Sequence, residues 1–257
     1  MINFICLKWG TKYGAEYVNR MYAMIKRNCD VEFLLHCCTE DSTGVREEVN
    51  IIPLPEDLHL ETYWWKLWII SNQFPVRGEC VFFDLDIVIQ NNLKELIEYR
   101  CADKLYILSA EWKLDHIKDF EYDIKLTSTN SSVMLWNSSI RLDTVFDKFM
   151  QDPELYMTKY AGNDNYLEYE CQGTYDTLPT DWVYCRLWGY DDTVVFEEER
   201  KYYTNYLYKD LRGNKLQLYY LPERMICLFN GVGDYTNTSG YYIDSKVYDG
   251  FEFYWSD

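Results

Sequence analysis

The stretch Val81-Phe82-Phe83-Asp84-Leu85-Asp86-Ile87-Val88 decides how the chain is read. Cys80 to Phe83 is a short apolar run of the kind that forms a buried strand, and two carboxylates follow it, two residues apart. If the backbone stays extended through Asp84-Leu85-Asp86, both carboxylates leave it on the same side. Carboxylates aimed at one point repel each other unless a cation lies between them, and all-oxygen ligand sets select Mg²⁺ or Mn²⁺. An exposed strand end with two solvated aspartates is the other reading, because Asp-x-Asp is a short and common pattern.

Working outward, strands and helices alternate on the N-terminal side. Ile2 to Leu7 reads as a first strand, followed by a polar loop through Lys8, Gly10, Thr11 and Gly14. Val18, Met21, Tyr22 and Ile25 then fall at helical spacing and end in the basic pair Lys26-Arg27. Val31 to Cys38 and Val49 to Leu54 read as strands, the first running into the polar loop Thr39-Glu40-Asp41-Ser42 and the second closed by Pro55. Tyr63 to Phe74 predicts a helix with an aromatic face from Trp64, Leu67 and Trp68, stopped by Pro75. This order predicts an α/β fold built from right-handed βαβ units around a mainly parallel sheet. Ligands in such sheets bind beyond the carboxyl ends of the strands, where Lys8 to Thr11, Thr39 to Asp41 and Asp84 to Asp86 all fall.

On the C-terminal side the pattern loosens. Leu105 to Leu108 and Ser132 to Trp136 read as strands and Arg141 to Met150 as a helix. A Tyr-rich part with short alternating runs, Leu216 to Leu221 and Ile226 to Phe229, follows. No repeat, low-complexity tract or linker interrupts the chain, so residues 1–257 are expected to form one domain with an irregular C-terminal part.

Composition narrows the function. With 48% hydrophobic and 18% aromatic residues, a disordered or fibrous chain is excluded. Against 25 Lys and Arg stand 42 Asp and Glu, a net charge of −17 that repels polyphosphate and argues against nucleic acid as a partner. A small anion remains possible where a divalent cation or a few placed basic groups mediate the contact. The 9 cysteines are scattered and odd in number, with no Cys-x-x-Cys pair, which suits reduced, buried thiols and a cytoplasmic location. The N-terminal run lacks the basic start and cleavage site of a signal peptide, and no apolar run reaches membrane-spanning length.

An ordered series of segments resembles the small GT-A-fold glycosyltransferases that use nucleotide sugars, near the family 8 and family 32 types and their bacterial and viral relatives. The series runs Leu7-Lys8-Trp9-Gly10-Thr11-Lys12-Tyr13, Glu16 to Tyr22, Cys38-Thr39-Glu40-Asp41, Pro53-Leu54-Pro55, Trp64-Trp65-Lys66-Leu67 and Asp84-Leu85-Asp86. It continues through Asn130-Ser131-Ser132-Val133-Met134, Gly162-Asn163-Asp164, Leu178 to Arg186 and Ile226 to Gly231. The resemblance implies a metal-dependent transfer of sugar from a nucleoside-diphosphate sugar to a glycan, lipid or other acceptor. It implies that Lys8, Trp9, Gly10, Thr11 and Asp41 cradle base and ribose, and that Asp84 and Asp86 hold Mn²⁺ or Mg²⁺ against the diphosphate. Lys66 would bring a cation to phosphate or sugar, Asn130, Ser131 and Ser132 would bind the donor sugar, and Asp164 would sit on the acceptor side or near the reacting carbon, which makes Asp164 and Lys66 the implied catalytic residues. Relatives with a third protein ligand usually carry a His in a late His-Gly loop. Here the loop reads Phe229-Asn230-Gly231-Val232-Gly233-Asp234, which leaves Asn230 or Asp234 as the oxygen donor.

Two other functions fit parts of the sequence. Asp84-Leu85-Asp86-Ile87-Val88 also matches the loose first motif of haloacid-dehalogenase-type phosphatases, with Asp191-Asp192 as a late acidic pair, although that motif normally opens its domain. A non-catalytic sugar-binding protein would use the abundant Tyr and Trp for stacking.

Overall fold

A computed structural model describes residues 1–99, 104–110, 127–140, 142–186, 204–209, 215–218, 220–229 and 254. The elements in chain order begin β1 (Ile2–Lys8), α1 (Ala15–Asn28), β2 (Phe33–Thr39) and β3 (Asn50–Pro53). A 3-10 turn (Thr62–Trp64), α2 (Trp65–Ile69), β4 (Glu79–Phe83), β5 (Ile87–Ile89) and α3 (Lys94–Glu98) follow. Then come β6 (Leu105–Ser109), β7 (Thr129–Asn137), α4 (Asp143–Phe149), α5 (Pro153–Lys159) and α6 (Asn163–Glu170). The last are β8 (Tyr175–Thr177), β9 (Val183–Cys185), β10 (Thr204–Lys209), β11 (Lys215–Leu218) and β12 (Ile226–Leu228).

Seven strands form one sheet in the order β3-β2-β1-β4-β7-β6-β8. Every neighbouring pair is parallel except the two that flank β7, so the expected mainly parallel α/β sheet is present with one reversed strand. Because β2 lies on one side of β1 and β4 on the other, the strand order switches direction at β1, which opens a crevice at the strands' carboxyl ends. Lys8, Thr39 and Asp84 stand at that edge.

Strand alternation divides the core between the two faces. Phe4, Cys6, Leu35, Cys37, Val81, Phe83 and Val133 face α1, whose Val18, Met21 and Ile25 are fully buried. Ile5, Cys38, Cys80, Phe82, Met134 and Trp136 face a second layer that includes Trp64, Trp68, Phe146, Phe149 and Tyr166. That layer is strongly aromatic, with Trp64 stacked on Phe149 at 5.2 Å between ring centroids. Truncating Phe82 or Phe83, both fully buried, to Ala would cost about 3–5 kcal/mol.

A small sheet, β5-β12-β9, covers the first face and ties the late sequence to the aspartate turn. β12 runs antiparallel to β5 and parallel to β9. At its end the Phe229 N–H donates to the Asp86 carbonyl at 2.9 Å, and the Arg186 N–H donates to the Leu228 carbonyl at 2.8 Å.

Two expectations need correction. The helix read over Tyr63 to Phe74 is a 3-10 turn and a five-residue helix ending at Ile69. Ser71 ends it: its hydroxyl donates to the Trp68 carbonyl at 2.7 Å and accepts from the Gln73 N–H at 3.2 Å, replacing helical bonds with a turn. Nor does the chain stay extended through Asp84-Leu85-Asp86. It turns at Leu85 and Asp86, with Leu85 anchored in the core, and the charge of Asp86 still acts on the Asp84 carboxyl across the turn.

Candidate active site

The site is built on the carboxyl end of β4 and the first half of β7. β7 pairs with β4 through Phe83 and Val133, and the Asp84 N–H donates to the Ser132 carbonyl at 2.9 Å. On its other edge the register against β6 jumps from Met134 to Asn130, an irregularity that releases Ser131 to Val133 from that ladder. Bulges of this kind re-aim backbone and side chains beside ligand sites. Asn130, Ser131 and Ser132 are therefore buried residues of a strand, and the bulge gives the Ser131 carbonyl a side chain to bond instead of a strand.

Lys66 fills that place. Only 5% exposed, it directs its ammonium at both oxygens of Asp84, 2.7 Å from Oδ1 and 2.8 Å from Oδ2. The same ammonium donates to the Ser131 carbonyl at 3.2 Å and to its Oγ at 3.3 Å. It also lies 5.1 Å from the centre of the Phe82 ring. The sequence allowed a lysine stretched to the surface; the structure buries it.

Asp84 has a quarter of its side chain exposed, and Asp86 is 8% exposed. Burial pushes the Asp84 carboxyl above the usual carboxylate range, opposed by the Lys66 ammonium and reinforced by the negative charge of Asp86. Ser131 continues the network. Its N–H donates to Asp164 Oδ1 at 3.0 Å, its hydroxyl donates to the same oxygen at 2.6 Å, and it accepts from the Asn163 amide at 2.8 Å. Asp164 thus lies in the first turn of α6 and reaches back to β7, rather than capping its own helix; the N-cap is Gly162.

Tyr63 closes the cluster from outside. Its hydroxyl donates to the Ala161 carbonyl at 2.5 Å, and its ring lies against Gly162. Burial raises its phenol pKa, with the charge of Asp164 adding to the effect. The preceding Thr62 has φ +51°, a left-handed conformation that costs a β-branched residue about 1–3 kcal/mol.

A second group of residues sits at the ends of β1 and β2. Lys8 is 4% exposed and donates to the Asp41 carbonyl at 2.8 Å, with the Asp41 carboxylate 3.9 Å away. Thr39 Oγ1 bonds both backbone polar groups of Asp41, fixing the loop. The Thr43 N–H donates to Asp41 Oδ1 at 2.9 Å, and hydrogen bonding from the Thr43 side chain, helped by this N–H, holds the carboxyl below the ordinary range, while most of the carboxylate stays in solvent. Gly10, at φ +64°, donates its N–H to Glu40 Oε1, joining the Trp9-Gly10-Thr11 loop to the β2 loop. Thr11 is exposed and Trp9 partly buried.

Asn230 and Asp234 lie outside the described residues, as do His116, Asp191 and Asp192. Among the described residues no group of three or more His, Cys, Asp or Glu side chains could hold a metal ion. Asp84 and Asp86 still form a suitable donor set, since hard cations at phosphate sites are commonly held by one or two carboxylates plus the ligand's own oxygens. Glu40, Tyr63 and Asn163 join these clusters through contacts that the sequence alone does not show, although Glu40 and Asn163 stand inside segments that the sequence marks.

No protein-family model and no curated protein matches the chain. Solved structures do. LgtC, described as a galactosyltransferase in complex with donor and acceptor sugar analogues, superposes with a TM-score of 0.56 at 11% identity, over 93% of this chain and 91% of its own. An active-site mutant of LgtC gives the same score over 90% of this chain and 88% of its own. The glycosyltransferase GlyE of Streptococcus pneumoniae gives 0.50 at 12% identity, over 71% of this chain but only 47% of its own. The chain has a glycosyltransferase fold. This is the GT-A-type α/β architecture anticipated from the resemblance, and it extends over nearly the whole length of LgtC.

Proposed function

We propose that residues 1–257 form a single metal-dependent glycosyltransferase domain that moves a sugar from a nucleoside-diphosphate sugar to a glycan, lipid or other acceptor. The observation that carries this reading is the pair Asp84 and Asp86. It stands beside the strand-order switch of a glycosyltransferase fold, and Asp84 belongs to one hydrogen-bonded network with Lys66, Ser131 and Asp164. A protein of net charge −17 needs local positive charge to accept a diphosphate, and Lys66 and a divalent cation would supply it.

In this reading Asp84 and Asp86 hold Mn²⁺ or Mg²⁺, with Asn230 or Asp234 as a further oxygen donor. When bound, the ion supplies Lewis-acid stabilisation of charge on the departing nucleoside diphosphate. The chain's own residues do the rest. The Lys8, Gly10 and Asp41 loops, with Trp9 and Thr11, receive the base and ribose. Asn130, Ser131 and Ser132 orient the donor sugar from the β7 bulge. Asp164, held by two bonds from Ser131, presents a carboxylate of fixed orientation toward the reacting centre. The cytoplasm is the proposed location, in keeping with the buried thiols among the described residues. No helix of the described residues is long and apolar enough to cross a membrane.

A phosphohydrolase using Asp84 is less well suited, because β1, β2 and β3 precede the aspartate turn, whereas the phosphatase motif opens its domain. The test is a thermal-shift screen of nucleoside-diphosphate sugars with Mn²⁺, followed by measurement of nucleoside diphosphate release. Metal-dependent stabilisation and release support transfer chemistry. Phosphate release from simple phosphoesters supports the hydrolase, and sugar binding without turnover supports a binding protein.

A further inference from the structure

We propose that the Lys66 ammonium is a built-in counter-cation that competes with a divalent ion for Asp84, so that metal capture depends on an anionic ligand able to draw Lys66 away. The proposal rests on the reading of Asp84 and Asp86 as the cation ligands. Three observations carry it. Lys66 is not a lysine passing near the carboxylate: its ammonium lies within hydrogen-bond reach of both Asp84 oxygens, the two atoms a metal would use. Its remaining bonds go to Ser131, an uncharged residue, so the ammonium has a second anchor that survives separation from Asp84. Lys66 is buried, so a metal at Asp84 would share a poorly solvated space with an ammonium, where repulsion is little screened.

The consequence is an order of assembly. A divalent ion alone meets an Asp84 already neutralised and a cation already in place, and binds weakly. A diphosphate brings enough negative charge to satisfy both cations at once. Lys66 then exchanges its carboxylate partner for phosphate while keeping Ser131, and Asp84 becomes available. The exchange moves one lysine head group and makes or breaks no covalent bond. It would keep the protein from holding a tightly bound metal that lacks its donor.

The experiment titrates Mn²⁺ into the protein and follows quenching of its tryptophan fluorescence, with and without inorganic pyrophosphate as the anionic probe. Wild type is compared with Lys66→Met and Lys66→Gln, after circular dichroism has shown which variants fold. The two substitutions remove the charge with different polarity, so one failure to fold leaves the other. The expected result is that either variant binds Mn²⁺ alone at least about tenfold more tightly than wild type. Pyrophosphate should strengthen Mn²⁺ binding in wild type and do so much less in the variants. If the folded variants bind Mn²⁺ no better than wild type, and Asp86→Asn still abolishes the binding, the competition is disproved while the metal site stands. If wild type and variants alike show no Mn²⁺ binding even with pyrophosphate, the metal reading falls and takes this proposal with it.

Discussion

Tyr63 and Gly162 come from distant segments of one layer of the fold and meet directly, the phenol ring of one lying where a side chain on the other would go. A Cβ built at Gly162 would lie 3.2 Å from Tyr63 Cε2, tighter than ordinary contact. The Tyr63 hydroxyl fastens the contact by bonding the Ala161 carbonyl. Because Tyr63 is three residues before Lys66, and Gly162 two before Asp164, this contact links the segments carrying two of the site's charged groups.

Tyr63→Phe should therefore loosen the site more than the fold. The ring and its packing remain, and one partly exposed hydrogen bond is lost, for which about 0.5–1.5 kcal/mol is expected. Urea denaturation measures that loss, and donor binding should weaken along with it. A variant with wild-type stability and wild-type binding of every nucleotide sugar that the parent binds would show that the contact has no consequence.

Asp41→Ala separates binding from stability in the opposite sense. The Lys8 ammonium is held by the Asp41 backbone carbonyl, which the substitution keeps, and the longer contact to the largely exposed carboxylate is worth about 0–1 kcal/mol. The melting temperature should hardly move while nucleotide-sugar affinity falls. Calorimetry giving equal donor affinity for the two proteins would remove Asp41 from the site.

A pH dependence follows from His36. The Asn3 amide nitrogen donates to the Arg77 and Glu79 carbonyls, at 3.0 and 3.1 Å, which leaves Asn3 Oδ1 as an acceptor for His36 Nε2–H. His36 Nδ1 then accepts from the Asn50 amide at 2.8 Å, an arrangement that suits the neutral ring. Burial lowers the pKa of His36 from its ordinary 6.5. The unfolded chain therefore binds this proton more readily than the folded one. The contribution is fully present above about pH 6.5 and is lost as pH falls toward the lowered folded value. Urea midpoints measured between pH 8 and pH 5 should fall for wild type, and the fall should be smaller for His36→Gln. Equal pH slopes for the two proteins would assign the effect elsewhere.

Much of this fold was legible because apolar runs ending in polar loops have few other interpretations. Ile2 to Leu7 and Cys80 to Phe83 became β1 and β4 with one residue added, and Asp84 stands where the strand reading put it. The environment of Lys66 was not legible. A lysine among Trp64, Trp65 and Trp68 reads equally well as buried or stretched to solvent, and its partners lie 18 and 65 residues away. The β7 bulge that frees Ser131 depends on pairing with β6, a long-range match that no local pattern encodes. Ser71 ended the aromatic helix through its side chain, where the sequence pointed to Pro75.

Ser131→Ala tests the network as a whole. The Ser131 hydroxyl donates to Asp164 and accepts from Asn163, and the Lys66 ammonium lies within reach of the same oxygen. Removing it leaves Asp164 with the Ser131 N–H, which the substitution keeps, and leaves the buried Asn163 amide without its acceptor. An unsatisfied buried group of that kind costs about 1–3 kcal/mol, and neighbours in one network do not add independently. The double variant Ser131→Ala/Asp164→Ala should therefore lose less stability than the two single losses summed, because the bond between the Ser131 hydroxyl and Asp164 can be lost only once. Denaturation midpoints for the four proteins give the coupling. Strict additivity would mean that Ser131 and Asp164 are merely adjacent, and would leave Asp164 without its positioning partner.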